Sequence, residues 1–160
     1  MSSAHRAREE LTSMDDVDLA IRGLTYAWFV EHGEAPTAQE LAAHAHHPVA
    51  EIRAAWWRLH EDHALVLLPG SGEIQMANPF SALPTPYKVE AGGKSWYGSC
   101  AWDALGICAA LRVDGTITTT CPDCDDPIEV AVRNHAPDDP TLLFHCLVPA
   151  AHWWDDIAFT

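Results

Sequence analysis

The sequence predicts an α+β protein: a helical N-terminal part, then a small, mostly antiparallel β part that carries one further helix. Three observations predict it. Apolar residues recur at helical spacing as far as about residue 60. Beyond Leu65 they fall in short strand-length runs bounded by Gly, Pro, Asn and Asp. A stretch holding Pro79, Pro84 and Pro86 separates two segments of different pattern. With 160 residues, 48% of them hydrophobic, the chain has material for one domain or for two small ones sharing a core.

Residues 1–14 are polar and mixed in charge and read as a disordered tail. Asp15 or Asp16 can cap a first helix, along which Val17, Ala20, Ile21, Leu24, Ala27 and Trp28 form a stripe; Gly33 stops it. Thr37-Ala38-Gln39-Glu40 is a capping box, in which hydroxyl and carboxylate satisfy the free amides of a helix start. That second helix runs to about His46. Pro48 suits the first turn of a third, whose stripe is Val49, Ile52, Ala55, Trp56 and Leu59. Leu65–Leu68 and Glu73–Ala77 read as a hairpin about Pro69-Gly70-Ser71-Gly72. Three helices and a hairpin are the pattern of a winged helix, expected over residues 15–80. Asn78–Pro86 reads as a linker.

The second unit, residues 87–160, opens with strands at Tyr87–Glu90 and Lys94–Tyr97, turned at Gly92-Gly93. A helix is expected from Cys100 to Leu111. Strands follow at Thr116–Thr120, Ile128–Arg133 and Leu142–Val148. Phe159-Thr160 reads as the beginning of another element, so this unit is expected to be truncated at its C-terminus.

Charge narrows the function classes. The net charge is −14; residues 1–86 hold 5 Lys/Arg against 12 Asp/Glu, residues 87–160 hold 4 against 11, and each part carries −7. Neither part offers a basic patch for phosphates. The third helix, the one that would read a DNA groove, carries Glu51, Glu61 and Asp62 beside Arg53 and Arg58. No apolar run approaches the ~18 residues of a membrane span, and residues 1–14 have no apolar core of a secretion signal. Five cysteines, an odd number, argue for reduced thiols and a cytoplasmic location over a disulfide framework.

Cys100 and Asp103 are the residues chosen for chemistry. Cys100 sits where a strand runs into a helix, so backbone amides and the helix dipole are expected to favour its thiolate. Asp103, at i+3, shares its face. A soft nucleophile and a proton carrier would meet at a helix start. Taken alone, Cys-x-x-Asp is also what a buried cysteine and a first-turn acid would look like.

Trp96-Tyr97-Gly98-Ser99-Cys100-Ala101-Trp102-Asp103-Ala104-Leu105 resembles the active-site segment of the organomercurial (alkylmercury) lyases, an aromatic strand followed by Cys-Ala-x-Asp-x-Leu opening a helix. The resemblance continues through Thr116–Cys121 and Pro127–Val132. It extends into His145–Phe159, with its Leu-Val-Pro and Trp153-Trp154-Asp155-Asp156-Ile157, and covers about residues 15–160. It implies protonolysis of a carbon–mercury bond, giving a hydrocarbon and Hg(II). Cys100 would be the mercury ligand and nucleophile. Asp103 would take the thiol proton and return it to the departing carbon. Organomercury compounds and small thiols are the implied partners, and no organic cofactor is implied; mercury is substrate and product.

The family uses a second cysteine just after a Phe; here the matching segment is Ile157-Ala158-Phe159-Thr160, where the sequence stops. Cys146 and Cys108 are the candidate replacements, with Cys146 the candidate second metal ligand. Cys108 lies about 80° around the helix from Cys100, at ~100° per residue. Two rival readings stand beside the lyase: a non-catalytic thiol protein of the same fold that binds or senses metal or organomercury, and a winged-helix transcription regulator.

Three further features have plainer readings. Cys121-Pro122-Asp123-Cys124 is half of a zinc knuckle without a second half, and reads as a hairpin turn with buried thiols rather than a structural zinc site or a redox pair. His44, His46 and His47 read as a solvated helix end rather than a metal site. Trp56-Trp57 and Trp153-Trp154 read as packing.

Overall fold

A computed structural model describes residues 15–143 and 146–157. The tail expected over 1–14, together with His145, Phe159 and Thr160, lies outside the described residues. Helices α1 (Asp16–His32), α2 (Ala38–Ala45) and α3 (Val49–Glu61) come first. Their ends follow from local chemistry. Asp15 accepts the Asp18 amide at 2.8 Å and so starts α1. Gly33 ends it in the left-handed region at φ +81, where a Cβ would also meet the Ser95 carbonyl oxygen at 2.7 Å. The capping box forms as expected: the Thr37 amide donates to Glu40 and the Glu40 amide to Thr37. Pro48 caps α3 from just outside its first turn.

Eight strands make one sheet: β1 (Val66–Leu67), β2 (Ile74–Ala77), β3 (Phe80–Ser81), β4 (Lys88–Ala91), β5 (Lys94–Gly98), β6 (Gly115–Thr120), β7 (Pro127–Arg133) and β8 (Ala136–Pro137). Their order is β1-β2-β3-β5-β4-β6-β7-β8, and all pairings are antiparallel. Helix α4 (Ala101–Leu111) connects β5 to β6 and packs on the sheet through Ala104, Ile107 and Cys108. The protein is thus α+β, as the sequence predicts.

Two expectations are corrected. The proline-rich stretch expected as a linker supplies β3, whose Phe80 and Ser81 pair with β2 on one side and β5 on the other. The strands on both sides of that stretch therefore belong to the same sheet. Prolines flank β3 without entering it, so its ladder amides stay available. The strand expected at Leu142–Val148 is not formed among the described residues, with residues 144–145 lying outside them: Leu142, Leu143 and 146–148 have no strand pairing, and Leu143 is 95% exposed. A 3-10 helix, Ala150–Asp155, follows it.

The core is continuous from α1 to β7. Phe29 of α1 stacks on Phe80 of β3 at 5.3 Å between centroids, and Phe80 tilts against Trp96 of β5 at 6.4 Å. The Trp96 indole donates to the Phe29 carbonyl at 2.7 Å. Burying each such ring stabilises the fold by roughly 1.5–3 kcal/mol, so this cluster locks α1 onto β5, the strand that leads into Cys100. Within the helices, the Trp56 indole donates to Thr25 Oγ at 3.0 Å, while Trp57 stays on the surface, 58% exposed.

Asp18 and Arg58 tie α1 to α3. The Arg58 guanidinium makes a forked contact with the buried Asp18 carboxylate, at 2.8 Å from Nε and 2.6 Å from NH2. Arg58→Ala would strand that carboxylate out of water without a cation, a loss of about 3 kcal/mol. Asp18→Asn should cost less, because it removes the charge that needs pairing. Urea unfolding midpoints of the two variants test this order. Among the described residues, no helix is long and apolar enough to cross a membrane.

Candidate active site

β5 ends at Gly98, and the chain turns through Ser99 and Cys100 into α4. Gly98 is required there by space. A Cβ at this position would lie 2.6 Å from the Ala104 amide nitrogen and 3.1 Å from the Asp103 carbonyl carbon. The first turn of α4 thus rests directly on the strand end. Gly98→Ala must push the helix start away, at about 2 kcal/mol for an overpacked backbone contact. A Tm lowered by several degrees in thermal melts is the expected result.

Cys100 is the extended N-cap residue of α4, with φ −147 and ψ −178. Its Sγ lies 3.6 Å from Asp103 Oδ2, and the thiol donates to the carboxylate. The i, i+3 pairing expected from the sequence is therefore present. Burial raises Asp103 from the usual carboxylate range to about 6, against a smaller opposing effect of the Cys100 hydrogen bond. The expectation for the Cys100 thiol is corrected. Burial raises its pKa, and the neighbouring Asp103 charge adds to the rise. The Asp103 and Trp102 amides pull the other way but do not prevail. Near neutral pH the proton of the pair thus sits on sulfur and points at the carboxylate.

Both side chains open into a cavity of about 520 Å³. One wall comes from the β2–β4 region, with Met76, Leu83 and Tyr87; the other comes from the C-terminal segment, with Cys146, Val148 and Trp153. Cys146 thus shares the cavity of Cys100 and Asp103. It is exposed, and its Sγ lies 2.8 Å from the Val148 carbonyl oxygen. Cys108 is excluded: it is buried on the far side of α4, facing β6 at Gly115.

Sequence reasoning missed Ser99 and Tyr26. Ser99 lines the cavity, and its hydroxyl is buried with no partner among the described residues. The Tyr26 hydroxyl donates to the carbonyl of the cavity residue Asn78 at 3.0 Å, and burial raises its pKa against the opposing effect of Arg22. Ser99 adjoined the motif and could have been chosen from it. Tyr26 lies 77 positions from Asp103 and gave no local signal.

The histidines expected as a helix end diverge. His44 lies edge-on to Trp28 at 5.6 Å, His46 takes the left-handed cap position, and His47 contacts Glu51 at 2.7 Å. Trp154 stacks on His63 at 4.3 Å, and Trp153 reaches the Val148 carbonyl. The thiols of the Cys121–Cys124 turn are not buried, contrary to expectation. Cys124 is exposed and Cys121 half-exposed, because the turn projects from the end of the β6–β7 hairpin.

A thiol paired with a carboxyl group of raised pKa, with a second thiol in the same cavity, defines a site for a soft electrophile on an α+β frame. The family model for MerB, alkylmercury lyase, matches residues 80–160, half of the chain, and the chain belongs to that family. A solved structure, the "Crystal structure of the mercury-bound form of MerB2", is similar with a TM-score of 0.63 and 23% identity, over 82% of this chain and 63% of its own. The fold is therefore shared, and this chain spans less than two thirds of that protein's length. No curated protein sequence matches.

Proposed function

We propose that the protein is an alkylmercury lyase acting in the cytoplasm, cleaving R–Hg⁺ to R–H and Hg(II). The observation that carries this reading is the 3.6 Å contact between Cys100 Sγ and Asp103 Oδ2 at the edge of a cavity that also holds Cys146. Cys100 would bind mercury as its proton passes to Asp103. Cys146 would supply a second sulfur, its thiol proton passing to solvent, and donation from that sulfur weakens the carbon–mercury bond. Asp103 would then protonate the leaving carbon, so that no free carbanion forms. A carboxyl group with a pKa of about 6 can both take and return a proton near neutral pH. The cavity walls, with Met76, Leu83 and Val148, suit an apolar organic group.

Helices α1–α3 and the β1–β2 hairpin are read as a winged-helix-like unit serving as scaffold. Arg53 contacts Glu73, and Arg58 contacts Asp18, so both arginines of α3 are engaged with carboxylates of the protein itself. That disfavours the DNA-regulator reading. Headspace gas chromatography of the protein with methylmercury and excess small thiol is the test. Methane above a Cys100→Ala control is expected; bound methylmercury without methane would instead make the protein a binder.

A further inference from the structure

We propose that Cys121 and Cys124 form a second, surface site that takes Hg(II), the product of the proposed cleavage, through two thiolates. The β6–β7 turn is closed by the Cys121 amide donating to the Asp126 carbonyl at 2.8 Å and the Asp125 amide donating to the Cys121 carbonyl at 2.9 Å. This fold-back carries both cysteines on one tight turn, with Cys124 exposed and Cys121 half-exposed. Cys124 Sγ contacts Asp126 Oδ2 at 3.3 Å.

Two features select the ion. Among the described residues no group of three or more His, Cys, Asp or Glu could hold a metal, so what this turn itself offers is a pair of thiols. Two adjacent thiolates suit a soft ion content with few ligands. Position selects its source. Pro122, between the two cysteines, lines the cavity of Cys100, Asp103 and Cys146, so the turn stands at the cavity's edge.

Transfer is thiol exchange without redox change. Hg(II) held by Cys100 and one other thiolate forms bonds to the Cys121 and Cys124 sulfurs. The two protons released there pass to the two thiolates left behind. The proposal rests on the lyase reading for the origin of the ion, not for the site itself.

The test uses the full chain, mercuric chloride and glutathione as competitor, read by native mass spectrometry. In a Cys100→Ser background, one Hg(II) should survive about a hundredfold more glutathione than in the same chain carrying Cys124→Ser, because the second thiolate binds intramolecularly. Cys124 is exposed, so its loss leaves the core intact; Cys121→Ser should act alike. With Cys100 present, Cys124→Ser should leave the first turnover of methane unchanged and slow later ones. Loss of Hg(II) at the same glutathione concentration with and without Cys124 would overturn the dithiol site. Absence of methane from the unsubstituted chain, with Hg(II) still retained, would overturn the lyase reading and leave this site standing.

Discussion

Cys100→Ser is expected to abolish methane release from methylmercury, lowering the rate by about three orders of magnitude or more, the scale seen when a covalent nucleophile is removed. Serine keeps the shape of the N-cap residue and places a hydroxyl beside Asp103. Oxygen is a hard ligand, however, and its proton is held far more tightly than a thiol's, so the variant lacks both mercury affinity and nucleophilicity. Cys100 is only half-buried and makes no side-chain cap bond, so thermal stability should stay within about 0.5 kcal/mol. Loss of activity with an unchanged melt separates a chemical role from a structural one. Retention of methane release would show that another thiol carries the reaction.

Asp103→Asn is expected to lower the rate by about 10²–10⁴-fold while methylmercury still binds, since the amide can neither take the thiol proton nor return it. The pH profile sharpens this. The reactive pair holds one proton between Cys100 and Asp103. Below pH 6 an extra proton occupies the carboxyl group, so kcat/KM should rise as pH climbs through about 6. The falling limb should lie above the ordinary thiol value of 9, because burial raises Cys100. Asp103→Asn should erase the rising limb. Stability should move the opposite way. The folded protein holds the Asp103 proton more tightly than the unfolded chain does. Its contribution is complete below about pH 4 and lost as pH rises through 6. Solvent reaches part of this carboxyl group, so the loss is screened to about 1 kcal/mol. The Asn variant escapes it, and at pH 8 it should melt about 2–4 °C higher than the parent chain.

Much of the frame was legible because its signals are local. Asp15, Gly33 and the Thr37–Glu40 box mark helix ends through contacts within a few residues. The pairing of Cys100 with Asp103 was legible for the same reason, since i and i+3 must meet on a helix. Strand β3 was hidden: two residues between prolines have no periodicity, and only their partners Met76, Ala77, Tyr97 and Gly98 make them a strand. Leu142 and Leu143 misled in the other direction, being apolar in pattern but exposed and unpaired with any strand. The thiolate expectation for Cys100 failed because burial is a tertiary property; the helix-start amides were read correctly, but their effect is the smaller one. Nor could spacing place Cys146 in the Cys100 cavity, 46 positions away, or exclude Cys108, eight positions away on the same helix.

If one chain, through Cys100, Asp103 and Cys146, protonates the carbon of a bound organomercurial, the new C–H bond draws its hydrogen from exchangeable groups. A single-turnover reaction in D₂O measures this most directly, with equimolar methylmercury, no added thiol, and the evolved gas analysed by mass spectrometry. Close to one monodeuterated methane per chain is expected, with Hg(II) retained by the protein. Stoichiometric binding of methylmercury that remains intact, with no methane evolved, would contradict it.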